Sequence, residues 1–263
     1  MTAALVAAQA VARGHGVACD EAVLIAGGSN VLVHLKPAPV VARLMTGTAV
    51  LHDDLEQWLA REVAVGAFLA ERTEVIVPPT DLLPPGPHVR DGLWMTLWKF
   101  VPHDDRAPDP RALGLSLREL HEALAGYPGD LPPLSGIRDW LAGLLDELRD
   151  VDRLRDELHA LSPAVFESSL PAQAIHGDAS LSNVLGTAGG PVWNDLEDVC
   201  AGPVAWDVAG IVSSARGRGR SEEFVDELLA AYGDPGVDDL EPFLEAHALY
   251  EAIWRAFKSG PSR

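Results

Sequence analysis

The sequence predicts an α/β chain of the α+β kind, a small antiparallel sheet followed by a mainly helical part, and three observations predict it. Short apolar runs at 22–26, 31–35 and 40–44 are separated by the tight connections Gly27-Gly28-Ser29-Asn30 and Lys36-Pro37-Ala38-Pro39, as an antiparallel meander requires. Beyond residue 109 the apolar residues recur at helical spacing instead. Pro102 and the stretch 104–110 interrupt both patterns and divide the chain into 1–101 and 102–263.

In chain order, residues 1–19 are rich in Ala and Val but carry no Lys or Arg before Arg13. They lack the charged leader of an export signal and read as a helix. After the meander, His52-Asp53-Asp54 offers a cap for a helix running to about Arg72. On a helical wheel Leu55, Trp58, Leu59, Glu62, Val63, Gly66 and Leu69 share one side, with Glu62 near the middle of the apolar arc. A carboxylate there is costly without a cationic partner; the alternative is an ordinary surface ion pair. Residues 93–101 form a further strand rich in Trp.

The helical part opens at Asp109-Pro110, with Leu113, Leu117, Leu120 and Leu124 on one face and His121 beside it in a structural place. Trp140, Leu141, Leu144, Leu145, Leu148, Val151, Leu154 and Leu158 read as one long amphipathic stripe, and 224–232 and 240–257 as two more. Trp140, Trp206 and Trp254 read as core. The acidic run at 221–227 reads as a capped, solvated helix start or, alternatively, as the lining of a pocket for a cation. A hairpin over 184–193, turning at Ala188-Gly189-Gly190, is the only β element expected there.

With 39 acidic against 20 basic residues, the formal net charge is −19. Such a surface repels nucleic acid and anionic membrane and tolerates cationic small molecules. No run approaches the roughly 18 apolar residues of a membrane span. Cys19 and Cys200 suggest neither a disulfide framework nor a zinc site, so a reducing cytoplasm is the expected setting, with a monomer or homodimer the expected assembly.

The chemistry concentrates between His176 and Asp195. Transfer of a terminal phosphoryl group asks for positioning, a divalent cation and a carboxylate directed at the acceptor hydroxyl. Asp178 can accept the hydroxyl proton, and Asn183 and Asp195 supply the hard oxygen ligands that Mg²⁺ takes beside phosphate oxygens.

His176-Gly177-Asp178, with Asn183 five residues after Asp178, resembles the H-G-D-x-x-x-x-N loop of the aminoglycoside phosphotransferase family. Val192-Trp193-Asn194-Asp195 is similar to that family's metal-binding strand, and the segment from Gly202 through Asp207 to Ala209 to its G-x-x-x-x-D-x-A segment. The resemblance implies a protein-kinase-like two-lobed fold, with a small antiparallel-sheet nucleotide-binding lobe at 1–101 and a mainly helical lobe at 102–263 carrying the catalytic loop and substrate site. It implies ATP and Mg²⁺ in the cleft, Asp178 as catalytic base, Asn183 and Asp195 as metal ligands, and His176 and Asp207 as supports of the loop.

By the same resemblance Arg43 pairs with Glu62 to hold the nucleotide phosphates, although many family members carry Lys there. The loop at Ser29 covers the phosphates or is an ordinary hairpin turn, and Phe100-Val101 contacts adenine. The implied reaction is phosphorylation of a hydroxyl on a small molecule, an aminoglycoside or similar antibiotic. The alternatives are a metabolite of the choline, homoserine or sugar type, a macrolide, or no turnover at all in a nucleotide-binding pseudokinase.

Overall fold

A computed structural model of the protein describes residues 2–27, 30–46, 54–104 and 106–259. The chain divides into two compact units, Met1–Ala107 with Leu185–Glu197, and Pro108–Val184 with Asp198–Arg263. The first unit runs past residue 101 and takes in 185–197, a segment that the expected boundary left in the helical part.

The first unit begins with α1 (Thr2–Gly14), followed by β1 (Cys19–Gly27), β2 (Asn30–Pro37), β3 (Val40–Met45), α2 (Leu55–Ala70), β4 (His88–Arg90) and β5 (Leu93–Lys99). The strands form an antiparallel sheet in the order β1-β2-β3-β5-β4. Side chains alternate across β3 as a strand demands. Val40, Ala42 and Leu44 pack with Ala4, Ala8 and Ala12 of α1, whereas Met45 packs with Trp58 and Leu59 of α2. Arg43 shares the α2 face, which places a cation opposite Glu62. Asp54 caps α2 by accepting from Gln57 N at 3.0 Å. The buried stripe of α2 is Trp58, Leu59, Glu62, Val65, Gly66 and Leu69, with Val65 in place of the expected Val63.

The second unit follows with α3 (Pro110–Leu124), α4 (Ser135–Asp146), α5 (Asp152–Val165), β6 (Gln173–Ile175) and a 3₁₀ turn at Leu181–Asn183. The hairpin β7 (Val184–Thr187) and β8 (Gly190–Trp193) returns to the first unit, where Trp193 exchanges backbone bonds with Val75 and Val77 and Gly186 accepts from Asp104 N. The chain ends with β9 (Cys200–Gly202), α6 (Ala205–Gly217), α7 (Glu222–Tyr232) and α8 (Glu241–Ser259).

Two expectations are corrected here. The stripe from Trp140 to Leu158 is two helices: α4 ends at Asp146 with Glu147 as its C-cap, α5 opens at Asp152, and Asp150 in the connection adopts φ 58, outside the right-handed helical region. The β7–β8 hairpin is also not the only β element after residue 109, since β6 pairs with β9. Within the second unit α3 packs along α7, and α8 packs against α4, α5 and α6. Among the described residues no helix is long and apolar enough to cross a membrane.

Candidate active site

In the first unit the register of β3 on β5 sets Arg43 opposite Thr96. Arg43 is 5% exposed and Glu62 1%, so neither charge is relieved by water. Arg43 Nη1 lies 3.1 Å from Glu62 Oε1, while Thr96 Oγ1 donates to Glu62 Oε2 at 3.2 Å and itself accepts from the Trp98 indole at 2.9 Å. Gly66 lets α2 approach, since a Cβ there would meet the Trp98 ring at 2.8 Å. The second guanidinium nitrogen faces two further carboxylates, Asp195 at 2.8 Å and Glu197. Burial alone would lower the pKa of Arg43, but Asp195, Glu62 and Glu197 together hold it well above its ordinary value.

Asp195 has φ 65, uncommon for a residue with a Cβ, and its side chain is 29% exposed. Its buried Oδ1 touches Arg43 off the N–H direction, an ion-pair contact without a directed hydrogen bond. Phe100 follows β5, donates its backbone N–H to Pro39 O at 2.9 Å and stacks on His34 with ring centroids 4.0 Å apart. Val101 O accepts from the His103 ring at 2.8 Å. Ser29 lies outside the described residues.

In the second unit the H-G-D loop is held from behind by Asp207, which is 0% exposed. Its Oδ2 accepts from His176 N at 2.6 Å and its Oδ1 from Gly177 N at 2.9 Å. Burial tends to raise the pKa of Asp207, but the hydrogen bond and electrostatic attraction from His121, the attraction from His176 and the His176 amide outweigh it and leave the value lowered. Gly177 has φ +84, and a Cβ there would overlap the carbonyl oxygen of Asp198. Trp206 Nε1 donates to Gly177 O at 2.8 Å, and His247 of α8 holds Trp206 O at 2.9 Å.

The loop then presents Asp178, half-buried, and the 3₁₀ turn presents Asn183, 7% exposed. Asn183 Nδ2 donates to Asp178 O at 2.9 Å and to Asp178 Oδ2 at 2.8 Å. With both amide hydrogens spent on Asp178, Oδ1 is the remaining polar atom of the Asn183 side chain, an acceptor suited to a hard cation. Among the described residues no three His, Cys, Asp or Glu side chains are grouped to hold a metal. Mg²⁺ that binds partly through nucleotide phosphates needs no such cage.

Glu197, Thr96 and His121 were not singled out as site residues by their sequence context. His121 is 3% exposed and bonds Asp207 Oδ2 at 2.9 Å and Tyr232 Oη at 2.8 Å. Its one advance signal is a ring that can donate and accept, set beside a leucine face. The acidic run at 221–227 opens α7, capped by Ser221, with Glu222 paired to Arg216 at 2.8 Å.

A family model described as the phosphotransferase enzyme family matches residues 23–243. No curated protein matches the chain by sequence. Among solved structures the chain is similar to an amicoumacin kinase in complex with AMP-PNP, Ca²⁺ and Ami, with TM-score 0.77 and 12% identity over 96% of this chain and 87% of that one. It is similar to spectinomycin phosphotransferase in complex with ADP and spectinomycin, with TM-score 0.68 and 14% identity over 96% and 86% of the two chains. It is also similar to a Plasmodium vivax ethanolamine kinase, with TM-score 0.66 and 18% identity over 95% and 81%. At these identities the likeness is one of fold, and the kinase-like α+β fold expected from the sequence is the fold observed.

Proposed function

The chain belongs to the phosphotransferase enzyme family, kinases of small-molecule hydroxyl groups, and we propose that it transfers the terminal phosphoryl group of ATP with Mg²⁺ to an aminoglycoside or similarly cationic antibiotic. Asp178 is the base that takes the hydroxyl proton, Asn183 and Asp195 each offer an oxygen to Mg²⁺, and Arg43, held by Glu62, positions the phosphates. Bound Mg²⁺ would neutralise phosphate charge as the bond to the leaving oxygen breaks. Phe100-Val101 and the loop at Ser29 take the adenine and the phosphates.

The observation that carries this reading is Asn183 holding Asp178 at 2.8 Å on a loop whose amides are clamped by Asp207. A carboxylate so fixed is preorganised for a proton transfer that a mobile side chain would perform poorly. The net charge of −19 supports a cationic acceptor. Choline-type, homoserine-type and sugar acceptors use the same machinery.

A second reading, a nucleotide-binding regulator without turnover, is favoured by one observation. Arg43 contacts Asp195 and Glu197 as well as Glu62, so a cation already occupies the carboxylate assigned to Mg²⁺. ATP depletion across a panel of aminoglycosides, choline, ethanolamine, homoserine and sugars separates the two. The expected result is Mg²⁺-dependent turnover with at least one acceptor, abolished in Asp178→Asn while ATP binding survives. Undiminished turnover in Asp178→Asn sinks the base assignment, and Mg²⁺-dependent ATP binding with no turnover of any acceptor favours the regulator.

A further inference from the structure

Three helices distant in sequence meet behind the H-G-D loop. The buried carboxylate of Asp207, on α6, receives three N–H groups: those of His176 and Gly177 from the loop, and Nε2 of His121 from α3. An ionised carboxylate accepts only, so Nε2 carries the proton. In the neutral imidazole Nδ1 is then an acceptor, and the group facing it is Tyr232 Oη from the end of α7, at 2.8 Å. Burial pushes the Tyr232 phenol pKa well above its ordinary value, so Tyr232 keeps its hydrogen and can donate it. The opposite tautomer would set a lone pair against the carboxylate and two hydrogens against each other.

We propose that His121 and Tyr232 are positioning residues for the catalytic loop. Tyr232 selects the imidazole tautomer, His121 completes the ring of donors on Asp207, and Asp207 thereby fixes the His176-Gly177 amides from which Asp178 projects. The inference rests on the assignment of Asp178 as base. It gives α7 a part in the reaction, although no residue of α7 belongs to the family motifs. The approach of α7 to α3 is backbone-close at Gly114, where a Cβ would overlap Leu228 O, so Tyr232 is delivered by a tight helix pair.

Asn is a methylene shorter than Gln, so packing alone separates the two in unfolding free energy, whereas the relay also separates them in kcat and in amide exchange at 176–177 under conditions where both are folded. Gln places an N–H where Nε2 stands and Asn places its amide where Nδ1 stands. In the full chain, His121→Gln should retain Mg-ATP turnover within about 3-fold. His121→Asn should lower kcat about 10- to 100-fold, the scale of a small misplacement at a reacting centre. Tyr232→Phe should lower kcat about 3- to 10-fold, the worth of one hydrogen bond. The KM for ATP should stay unchanged in all three.

Long-range ¹H–¹⁵N spectra of the ligand-free protein should show His121 as the Nε2–H tautomer, mixed in Tyr232→Phe. Amide exchange at 176–177 should quicken in His121→Asn. Equal losses in the Gln and Asn variants, wild-type exchange at 176–177 in His121→Asn, or an Nδ1–H tautomer overturn the proposal. If His121→Asn does not fold, Tyr232→Phe and the wild-type spectrum decide. Asp178→Asn is run beside them: if it retains turnover the base assignment falls, while the tautomer and exchange measurements still judge the relay.

Discussion

Acid should loosen the protein through His247 well before it reaches the carboxylates. Burial lowers the pKa of this histidine from 6.5 to about 4, opposed in part by the Trp206 carbonyl and by the charge of Asp207. The unfolded chain therefore binds a proton between these values that the folded chain refuses. Stability from this group is complete above pH 6.5 and is lost as pH falls towards 4. At about 1.4 kcal/mol per pH unit the full window is worth about 3 kcal/mol, of which about 2 is lost by pH 5.

His247→Gln keeps an N–H for the Trp206 carbonyl and removes the titration. Urea unfolding at pH 7.5 and pH 5.0 should show the wild type losing about 2 kcal/mol more than His247→Gln, other titrating groups cancelling in the difference. For a unit of 150–250 residues that corresponds to about 4–8 °C in Tm. Equal losses in the two proteins would refute the claim that the histidine is buried neutral. The consequence reaches the H-G-D loop, because Trp206, held by His247, donates its indole N–H to the carbonyl of Gly177.

Removing the cation of the first unit should be far worse than removing one of its carboxylates. Arg43→Met leaves Glu62, Asp195 and Glu197 facing one another and should cost about 3–5 kcal/mol in urea unfolding. Glu197→Gln relieves a cluster with more negative than positive charge and should cost less than about 1 kcal/mol, so a reversed order would contradict the cage. Two helical glycines should respond oppositely to Ala. Gly143 has nothing within 4 Å, so Gly143→Ala should stabilise by about 0.5–1 kcal/mol in thermal or urea melts. Gly114→Ala meets Leu228 O and should destabilise by about 1–3 kcal/mol, more than the helix propensity it gains.

The residues legible in the sequence share one property: their meaning is local or periodic. Glu62 declares itself by sitting in an apolar arc that calls for a cation, while Arg43 is named as that cation only by the family resemblance, and its place on the α2 side of the sheet is a finding of the structure. Spacing within one loop gives Asp178 and Asn183. His121 and Tyr232 are different, since their partners lie 86 and 111 residues away and nothing in either helix names the other. Glu197 is not legible because Glu62 alone suffices as a partner for one cation in the sequence, although a guanidinium fork can serve several carboxylates. The break between α4 and α5 was illegible because the leucine stripe continues across it; the backbone shows it, with α4 capped at Glu147 and Asp150 in the connection at φ 58.

That division follows from how a loop acquires rigidity. The H-G-D loop has little regular structure of its own, so its amides must be held by groups brought in from elsewhere. The group that holds them, Asp207, is a buried anion, and a buried anion must in turn be satisfied or its cost exceeds what the loop gains. Each satisfied group adds the next layer: His121 for Asp207 and Tyr232 for His121, with Trp206 and His247 bracing Gly177 O from the other side. The outer layers touch no reacting atom, and their identity is set by hydrogen-bond complementarity to the layer inside. Substitution there should therefore act on kcat through geometry, strongly where a donor to Asp207 is lost and weakly where the donor survives in another residue type.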